Sequence, residues 1–329
     1  MTKYMLLGGA GVFAVHTADY LLRLPETTRV ISVGRNIERS PAYTLNVGKN
    51  DPRYSYHQIH LTFELDATLE LIDKEKPDYI INYAAIAYAT SWESSHRYYD
   101  TNLMMVVKLC EALGSRSFLK KFVQIGTSEL YGPVVEPAHE KSQLYPTSPY
   151  AVSKLATDMH LETLHLVNKL PINILRPSNA YGEGQQIWRV IPRAVFCGLE
   201  KIKLPLQGGG KVKKSYFHAQ DLAKAIYLVA KKAPCGEIYN VGPENPVSIK
   251  EIVELVANKL NIPFDEFVDI IPGRKGEDAQ YWLDSSKIKN DLGWRQEIFL
   301  EQGIDRMVNW GKEYLPLLRG EQQEFILHA

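Results

Sequence analysis

Residues 4–14, YMLLGGAGVFA, join a short apolar run to a glycine-rich loop near the start of the 329-residue chain. Gly8 and Gly11 follow the apolar run directly. Such a loop between a strand and a helix permits a tight turn and leaves free backbone amides at the helix N-terminus, where a pyrophosphate binds. We therefore predict a dinucleotide site formed by Gly8, Gly11, Val12 and Phe13, and an ordinary strand–helix turn is the alternative.

The rest of the first half repeats this strand–helix pattern. Apolar runs without polar alternation are typical of parallel strands that are covered on both faces. They occur at 4–8, 29–34, 79–84, 121–126 and 172–177. Helical patterns lie at 15–24, 67–76, 102–114 and about 148–169. The alternation predicts a doubly wound α/β domain with a parallel, Rossmann-type sheet over residues 1–177.

The regular spacing is lost after residue 177, which marks a change of organisation. We expect 178–329 to form mainly a smaller substrate-binding domain, with segments around 212–240 returning to the first domain. Ser248 and Glu251 have the spacing of a capping box and predict a helix that begins after Ser248.

The composition excludes several classes of protein. Lys plus Arg (38) equals Asp plus Glu (38), so no overall charge favours nucleic acid or an anionic membrane. The three cysteines are too scattered for a disulfide framework or a zinc site, and no metal is expected. No apolar run reaches the length of a membrane span. These features favour a cytoplasmic protein that binds a small molecule.

The end of the second strand bears on the choice of dinucleotide. NAD sites usually place a carboxylate there to hold the ribose hydroxyls. This chain has Gly34 at that position, followed by Arg35 and Asn36. Since Arg35 can pair with a 2′-phosphate, NADP is favoured, with NAD possible. The alternative is that Arg35 is a solvated loop residue.

Tyr150 and Lys154 lie four residues apart at the start of a predicted helix, on one face. A free tyrosine, with a pKa of about 10, is a poor base at neutral pH. A nearby ammonium favours the phenolate, so Lys154 is expected to lower the pKa of Tyr150. Such a pair can take a proton from an alcohol while hydride leaves the same carbon. A surface pair is the alternative, because this spacing is common by chance.

The motifs together resemble those of a known family. The matching pieces are GGAG, NYAA (82–85), TN (101–102), TSELYG (127–132), PTSPYAVSK (146–154), RPSNAYGEGQ (176–185) and RKGEDAQYWLDSSKIKNDLGW (274–294). By these the chain is identified as a member of the extended short-chain dehydrogenase/reductases, in the nucleotide-sugar epimerase/dehydratase group. The segment TSELYG is most similar to sugar-nucleotide 4,6-dehydratases of the GDP-mannose type.

The resemblance implies a reaction and catalytic roles. The substrate is a nucleotide-diphosphate sugar, which is oxidised at C4, loses water across C5 and C6 and is reduced at C6. By resemblance Thr127 holds the C4 hydroxyl, Glu129 removes the C5 proton, and Ser128 assists departure of the C6 hydroxyl. Because successive strand side chains face opposite ways, Ser128 can join its neighbours only if the strand has already ended.

The resemblance also implies binding residues and an assembly. Ala84 and Ala85 lie beside the cofactor, with Tyr150 and Lys154. The substrate-binding residues are Thr127, Asn179, Arg193, Lys214 and Arg274. Helices 97–114 and 148–168 form the subunit contact of a homodimer in this group.

Three alternatives stay open at this point. The segment Thr127–Glu129 is a polar strand-end turn in the simplest interpretation, and Lys214 is a solvated charge. A nucleotide-hexuronate decarboxylase or a nucleotide-sugar 4-epimerase uses the same scaffold, and decarboxylases also resemble Thr-Ser-Glu here. A non-catalytic dinucleotide-binding protein is the third, less favoured alternative.

Overall fold

A computed structural model describes residues 1–37, 39–87, 94–114, 116–273 and 280–322. Its strands are β1 Thr2–Leu7, β2 Thr27–Gly34, β3 Tyr54–Gln58, β4 Tyr79–Asn82, β5 Lys121–Ile125, β6 Ile172–Pro177, β7 Asn179–Tyr181, β8 Leu204–Gln207, β9 Lys213–Lys214, β10 Tyr216–His218, β11 Ile238–Val241, β12 Val247–Ser248, β13 Val268–Ile271 and β14 Gln280–Tyr281. Its α-helices are α1 Val12–Leu22, α2 Pro41–Thr44, α3 Leu65–Glu75, α4 His96–Tyr98, α5 Met105–Leu113, α6 Pro149–Asn168, α7 Val190–Glu200, α8 Ala219–Lys232, α9 Ile249–Leu260, α10 Phe264–Phe267, α11 Ser286–Leu292 and α12 Leu300–Leu318.

The centre of the fold is a seven-stranded sheet in the order β11-β6-β5-β4-β1-β2-β3. All of its neighbouring strands are parallel. The predicted doubly wound α/β sheet is therefore confirmed. The strand order reverses between β1 and β4, which creates the crevice at the carboxyl ends of the strands where ligands bind in such sheets.

Strand β1 shows why the sheet's sequences read as continuous apolar runs. Tyr4 and Leu6 belong to the apolar cluster under α1 and α8, whereas Met5 and Leu7 belong to the cluster under α3, α5 and α6. All four side chains are fully buried. Both faces of the strand thus exclude water, so no polar alternation is needed.

A second apolar core lies outside the sheet. It is built from α7, α9 and α12 with β8 and β13, and it includes Ala42 and Tyr43 of α2. The Trp310 Nε1 of α12 donates a hydrogen bond to the Ala42 carbonyl (2.8 Å). The loop after β2, which is early in the chain, therefore packs into this second core. The division of the chain at residue 177 stays a prediction.

The predicted capping box before α9 is confirmed. The Glu251 amide donates to Ser248 Oγ (3.1 Å), and the Ser248 amide donates to Glu251 Oε2 (2.7 Å). The helix expected at 102–114 differs from its prediction. A π-helical turn, Tyr99–Met104, comes first, and regular α-helix begins only at Met105.

Candidate active site

The glycine loop lies at the point where the strand order reverses. The amides of Gly8 and Gly9 both donate to the Val33 carbonyl of β2 (2.9 and 2.8 Å). Gly8 has φ +80°, and a Cβ there would lie 2.7 Å from the Ala84 amide nitrogen. The loop therefore packs directly on the backbone after β4 and needs glycine at this position. This closely apposed backbone, ahead of the N-terminus of α1, fits a dinucleotide pyrophosphate.

The other predicted cofactor residues surround this loop. Val12 is buried as the first residue of α1, and Phe13 packs partly against the apolar core beneath it. Ala84 and Ala85 are partly buried directly after β4, and the Ala84 amide donates to Asn82 Oδ1 (3.1 Å).

Arg35 and Asn36 follow β2 and are exposed. Their backbone is held by two side chains of β3. Tyr56 OH donates to the Asn36 carbonyl (2.5 Å), and Gln58 Nε2 donates to the Arg35 carbonyl (3.3 Å). The Arg35 side chain therefore extends from an anchored backbone at the edge of the crevice.

Asn102 was not among the predicted site residues. It is fully buried in the π-helical turn, where its Oδ1 accepts from the Ile86 amide (2.8 Å). Its Nδ2 donates to the Ile86 carbonyl (3.1 Å) and to Ser153 Oγ of α6 (3.0 Å). It thus ties the loop after β4 to the helix of Tyr150. The available signal was the TN pair among the family motifs, and π-helical turns are frequent at functional sites.

The segment Thr127–Glu129 does not lie on a strand. Strand β5 ends at Ile125, and a 3₁₀ helix runs from Ser128 to Tyr131. Thr127 caps this helix, since its Oγ1 accepts from the Glu129 amide (3.3 Å). The strand has therefore ended before Ser128, as its predicted role requires. Ser128 is buried, Glu129 is partly buried, and their roles stay predictions.

Tyr150 lies at the start of α6, in contact with this segment. Ser148 caps the helix by accepting from the Ala151 amide (3.1 Å). The Tyr150 phenol hydrogen-bonds the Thr127 side chain, and the Glu129 carboxylate is near enough to act on it electrostatically. The structure thus brings together Thr127, Glu129 and Tyr150, which are up to 23 positions apart in the chain.

The expected lowering of the Tyr150 pKa is not found. Burial raises the pKa of Tyr150, and the charge of Glu129 raises it further, against the Thr127 hydrogen bond. Burial also lowers the pKa of Lys154 to about 8, opposed by the charge of Asp158. Lys154 Nζ donates to the Ile125 carbonyl (2.6 Å). The prediction neglected the cost of ionising both groups away from water.

Arg189 is a second residue that the sequence analysis missed. It precedes the first residue of α7, and its charge lowers the pKa of Tyr150. Its Nη2 donates to the Ala87 carbonyl (3.3 Å). The predicted Arg193 lies partly buried one turn later on the same helix. Two arginines four residues apart were the available signal, and only the folded chain shows that the charge of Arg189 acts on Tyr150.

The remaining predicted substrate residues lie beyond β6. The Asn179 amide donates to the Ser215 carbonyl (3.0 Å), so the backbones of Asn179 and Lys214 are close neighbours. Lys214 Nζ lies 5.8 Å from the centroid of the Tyr281 ring. Arg274 lies outside the described residues.

The described residues contain no group of three or more His, Cys, Asp or Glu side chains arranged to hold a metal ion. In the same part of the chain, none of the helices combines the length and apolar character that crossing a membrane requires.

Known proteins with similar sequences and structures identify the family of this chain. The model of a family described as "NAD dependent epimerase/dehydratase family" matches residues 4–242. The dTDP-glucose 4,6-dehydratase of Haemophilus influenzae is 27% identical over 332 residues, covering 94% of this chain and 98% of that protein. A trifunctional UDP-glucose 4,6-dehydratase, 3,5-epimerase and reductase of Arabidopsis thaliana is 26% identical over 311 residues, covering 93% of this chain. The chain spans about half the length of that plant protein (46%).

Solved structures agree in fold. The dTDP-glucose 4,6-dehydratase of Bacillus anthracis in complex with NAD has a TM-score of 0.86 at 28% identity, covering 95% of this chain and 97% of that one. A UDP-glucuronic acid 4-epimerase of Bacillus cereus, in complex with UDP-glucuronic acid and NAD, has a TM-score of 0.84 at 24% identity, covering 94% and 99%. The second likeness is one of fold alone, so the overall shape does not separate dehydratases from epimerases.

Proposed function

The chain belongs to the NAD dependent epimerase/dehydratase family, and from that premise we propose that it is a nucleotide-sugar 4,6-dehydratase. The proposed product is a nucleotide-linked 4-keto-6-deoxyhexose. The observation that carries the proposal is the meeting of Tyr150 with both Thr127 and Glu129. A simple alcohol dehydrogenation needs a base at one carbon, whereas elimination of water needs a second acid–base group beside it.

Each step of the proposed reaction uses a residue of this site. Tyr150 must first ionise, against the raised pKa of its phenol, and then accepts the proton of the C4 hydroxyl, which Thr127 orients, as hydride leaves C4. The resulting ketone makes the C5 proton acidic, and Glu129 removes it. The C6 hydroxyl departs as water with a proton from the Ser128–Glu129 pair. Hydride then adds at C6 and one proton adds at C5. This proton balances the one that Tyr150 took from the C4 hydroxyl, so that the net change is the loss of one water molecule.

A nicotinamide dinucleotide is the proposed cofactor, and when bound it supplies the exchange of hydride. Gly8 and Gly11, whose amides are bonded to Val33 and Gly8, would give the pyrophosphate close access to the loop, and Val12 would hold it at the start of α1. Ala84 and Ala85 would line the adjacent backbone. The B. anthracis relative carries NAD. We propose that this chain prefers NADP, because Gly34 leaves no carboxylate after β2 and the anchored, exposed Arg35 can pair with a 2′-phosphate.

The nucleotide diphosphate of the sugar is proposed to lie towards the second core. Asn179, Arg193, Lys214 and Arg274 are the proposed partners of its phosphates. We add Arg189 to these proposed partners, because its positive charge is close enough to Tyr150 to lower the pKa of the phenol. A lysine such as Lys214 can act there as a point charge without bidentate geometry.

A second candidate function follows from Arg189. A guanidinium near Tyr150 can also pair with a carboxylate on the sugar, which a hexuronate carries at C6. The corresponding reactions are decarboxylation of a nucleotide hexuronate or inversion at C4. We rank them second because neither reaction requires removal of a C5 proton by Glu129.

A homodimer is proposed through α6. Val152, Met159 and Leu166 are spaced by seven residues on this helix, and all three are exposed, Met159 to 58% and Leu166 to 68%. Met104, also exposed, extends the apolar surface from the neighbouring π-helical turn. An apolar stripe with this period suits helix packing between two copies of the chain.

The test is to incubate the protein and NADP or NAD with dTDP-, UDP- and GDP-hexoses and with UDP-glucuronate. Release of a 4-keto-6-deoxy product, identified by mass and by its keto absorbance in alkali, supports the proposal. Glu129→Gln should still oxidise C4, seen as reduced cofactor, but should release at least about 100-fold less product, the usual contribution of a general base. Release of carbon dioxide or C4-inverted sugar alone would assign the second candidate instead.

A further inference from the structure

A buried charged pair lies behind the proposed catalytic residues. Asp158 is on α6, one helical turn after Lys154 and two turns after Tyr150. Its Oδ2 accepts a hydrogen bond from Arg176 Nε of β6 (2.9 Å), and the two side chains are 0% and 2% exposed. A buried ion pair adds little stability over well-packed apolar residues, because both charges lose their hydration. Stability alone therefore does not explain the Asp158–Arg176 pair, and we considered a role in the active site.

Lys154 gives the first reason. It is 2% exposed, and its Nζ donates to the Ile125 carbonyl. An ammonium in such surroundings needs a compensating negative charge to stay protonated. The Asp158 carboxylate lies on the same helix one turn away, and its charge counteracts the lowering of the Lys154 pKa by burial. Its other oxygen, Oδ1, accepts no hydrogen bond from the described residues.

The second reason is a chain of hydrogen bonds to the Glu129 segment. Arg176 Nη1 donates to Tyr131 OH (3.0 Å), and Tyr131 OH donates to Asn240 Oδ1 of β11 (2.8 Å). Tyr131 is the last residue of the 3₁₀ helix that carries Glu129. Gly126, between β5 and the 3₁₀ helix, lies close to Arg176 of β6. A Cβ on Gly126 would lie 3.1 Å from Arg176 Cγ, so the absence of a side chain there allows this close approach.

We propose that Asp158 is a positioning residue of the active site, whose buried carboxylate supplies the counter-charge of Lys154 and, through Arg176 and Tyr131, fixes the segment that carries Glu129. The part that concerns turnover rests on the proposed function. The part that concerns Lys154 does not, because it is a property of the folded chain.

Other titratable groups face this cluster. Burial raises the pKa of Asp158, and the charges of Arg176 and Lys154 oppose that change. Asp158 raises the pKa of Tyr150 directly, as Glu129 does more strongly. Glu162, exposed one turn further along α6, also interacts with Arg176 and Asp158.

Glu140 is the remaining charged group on this side. It accepts from the Asn240 amide (2.7 Å), and its charge acts on Tyr131. The negative charge of Asp158 raises the pKa of Tyr150, whereas an ammonium kept at Lys154 would favour the Tyr150 phenolate. The two effects have opposite signs, which an experiment can separate.

The first measurement is an NMR titration of the full-length protein labelled with ¹³C at lysine Cε, in which Lys154→Met identifies the signal. The Lys154 midpoint in the wild type is expected near the pKa of about 8. In Asp158→Asn it should fall by about one unit or more, the usual effect of a neighbouring opposite charge. Glu162→Gln is the matched control and should leave it unchanged. An unchanged or raised midpoint in Asp158→Asn overturns the proposal, and Asp158→Ser gives the same test should the Asn variant not fold.

The second measurement is the pH profile of kcat with the nucleotide sugar that the protein turns over. If Lys154 acts as the ammonium, the rate declines as the pH rises through its pKa, and Asp158→Asn moves this decline to lower pH. A one-unit fall lowers the protonated fraction at pH 8 about fivefold while leaving pH 6 nearly unaffected. Asp158→Glu, which keeps the carboxylate, should restore most of the profile. A loss of rate that is equal at all pH values would refute the counter-charge of Lys154 and leave only the positioning of the Glu129 segment through Arg176 and Tyr131.

The two measurements also separate failure of this inference from failure of the proposed function. A wild-type protein without turnover on any nucleotide sugar would refute the proposed function, while the NMR titration would still decide the role of Asp158. If Asp158→Asn shifts only the low-pH side of the kcat profile, Asp158 acts directly on Tyr150, and the proposal is refuted.

Discussion

Replacement of Gly8 by alanine tests the closest backbone contact of the proposed cofactor site. The added Cβ would lie 2.7 Å from the Ala84 nitrogen and 2.9 Å from the Tyr83 carbonyl carbon, both backbone atoms. The two backbone segments cannot easily move apart, because the Ala84 amide donates a hydrogen bond to Asn82 Oδ1 and the Gly8 amide donates one to the Val33 carbonyl. At φ +80° a side chain also costs about 1–2 kcal/mol.

The expected loss of stability follows from these contacts. Overpacking adds about 1–3 kcal/mol, and the stiffer unfolded chain returns about 0.4–1 kcal/mol. Gly8→Ala should therefore lower the free energy of unfolding by about 1–5 kcal/mol, and by about 3 kcal/mol at the centre of these ranges. Urea unfolding followed by circular dichroism measures this loss, and calorimetric titration with NADP and NAD measures binding, which should fall at least tenfold if the loop holds the pyrophosphate.

Gly293→Ala is the matched control. Gly293 ends α11 with φ +71°, and a Cβ there would meet nothing within 4 Å. Gly293→Ala should therefore lose only the conformational part less the same gain from the stiffer unfolded chain, about 1 kcal/mol in all, and it should keep dinucleotide binding. Equal losses of stability in the two variants, with wild-type binding in Gly8→Ala, would refute the close-packed arrangement of the loop.

Three further predictions concern other parts of the molecule. Arg35→Ala should weaken NADP binding about 10–100-fold through loss of a charge-assisted contact, with little effect on NAD, and equal effects on the two cofactors in a fluorescence titration would contradict the preference. Met159→Glu should convert the proposed dimer into a monomer in light scattering, with circular dichroism unchanged. Asn168→Glu, at an exposed position of the same helix outside the apolar stripe, serves as the charge control, and a monomeric wild type would refute the proposed dimer. Burial lowers the pKa of His16, whose Nε2 contacts the Glu183 carbonyl (2.9 Å). The pKa of His16 in the folded chain lies below its unfolded value of about 6.5. The stability that depends on neutral His16 is therefore fully present above that pH and declines as the pH falls below it. The melting temperature should accordingly drop between pH 7.5 and pH 5.5 and drop less in His16→Gln, and equal drops would disprove the assignment.

The sequence by itself located five of the seven strands of the central sheet and the glycine loop that follows the first of them. Continuous apolar runs located β1, β2, β4, β5 and β6 within a few residues, because strands buried on both faces leave a local signature. The glycines after β1 and the capping box before α9 were equally local, since each depends on backbone geometry within a few positions. The motif around Tyr150 located the proposed site by resemblance.

Only the tertiary structure decided which groups act on one another. Arg189 is an ordinary charged residue in the sequence, and only the folded chain shows that its charge acts on Tyr150. Asp158 shares a helix with Lys154, but its ion pair with Arg176 of β6 exists only in the folded chain. The rise of the Tyr150 pKa has the same origin, because the free energy of an ion depends on how much water the whole fold removes from it. The burial of single polar side chains and the contacts between charges far apart in the chain follow no period, and therefore the sequence pattern could not reveal them.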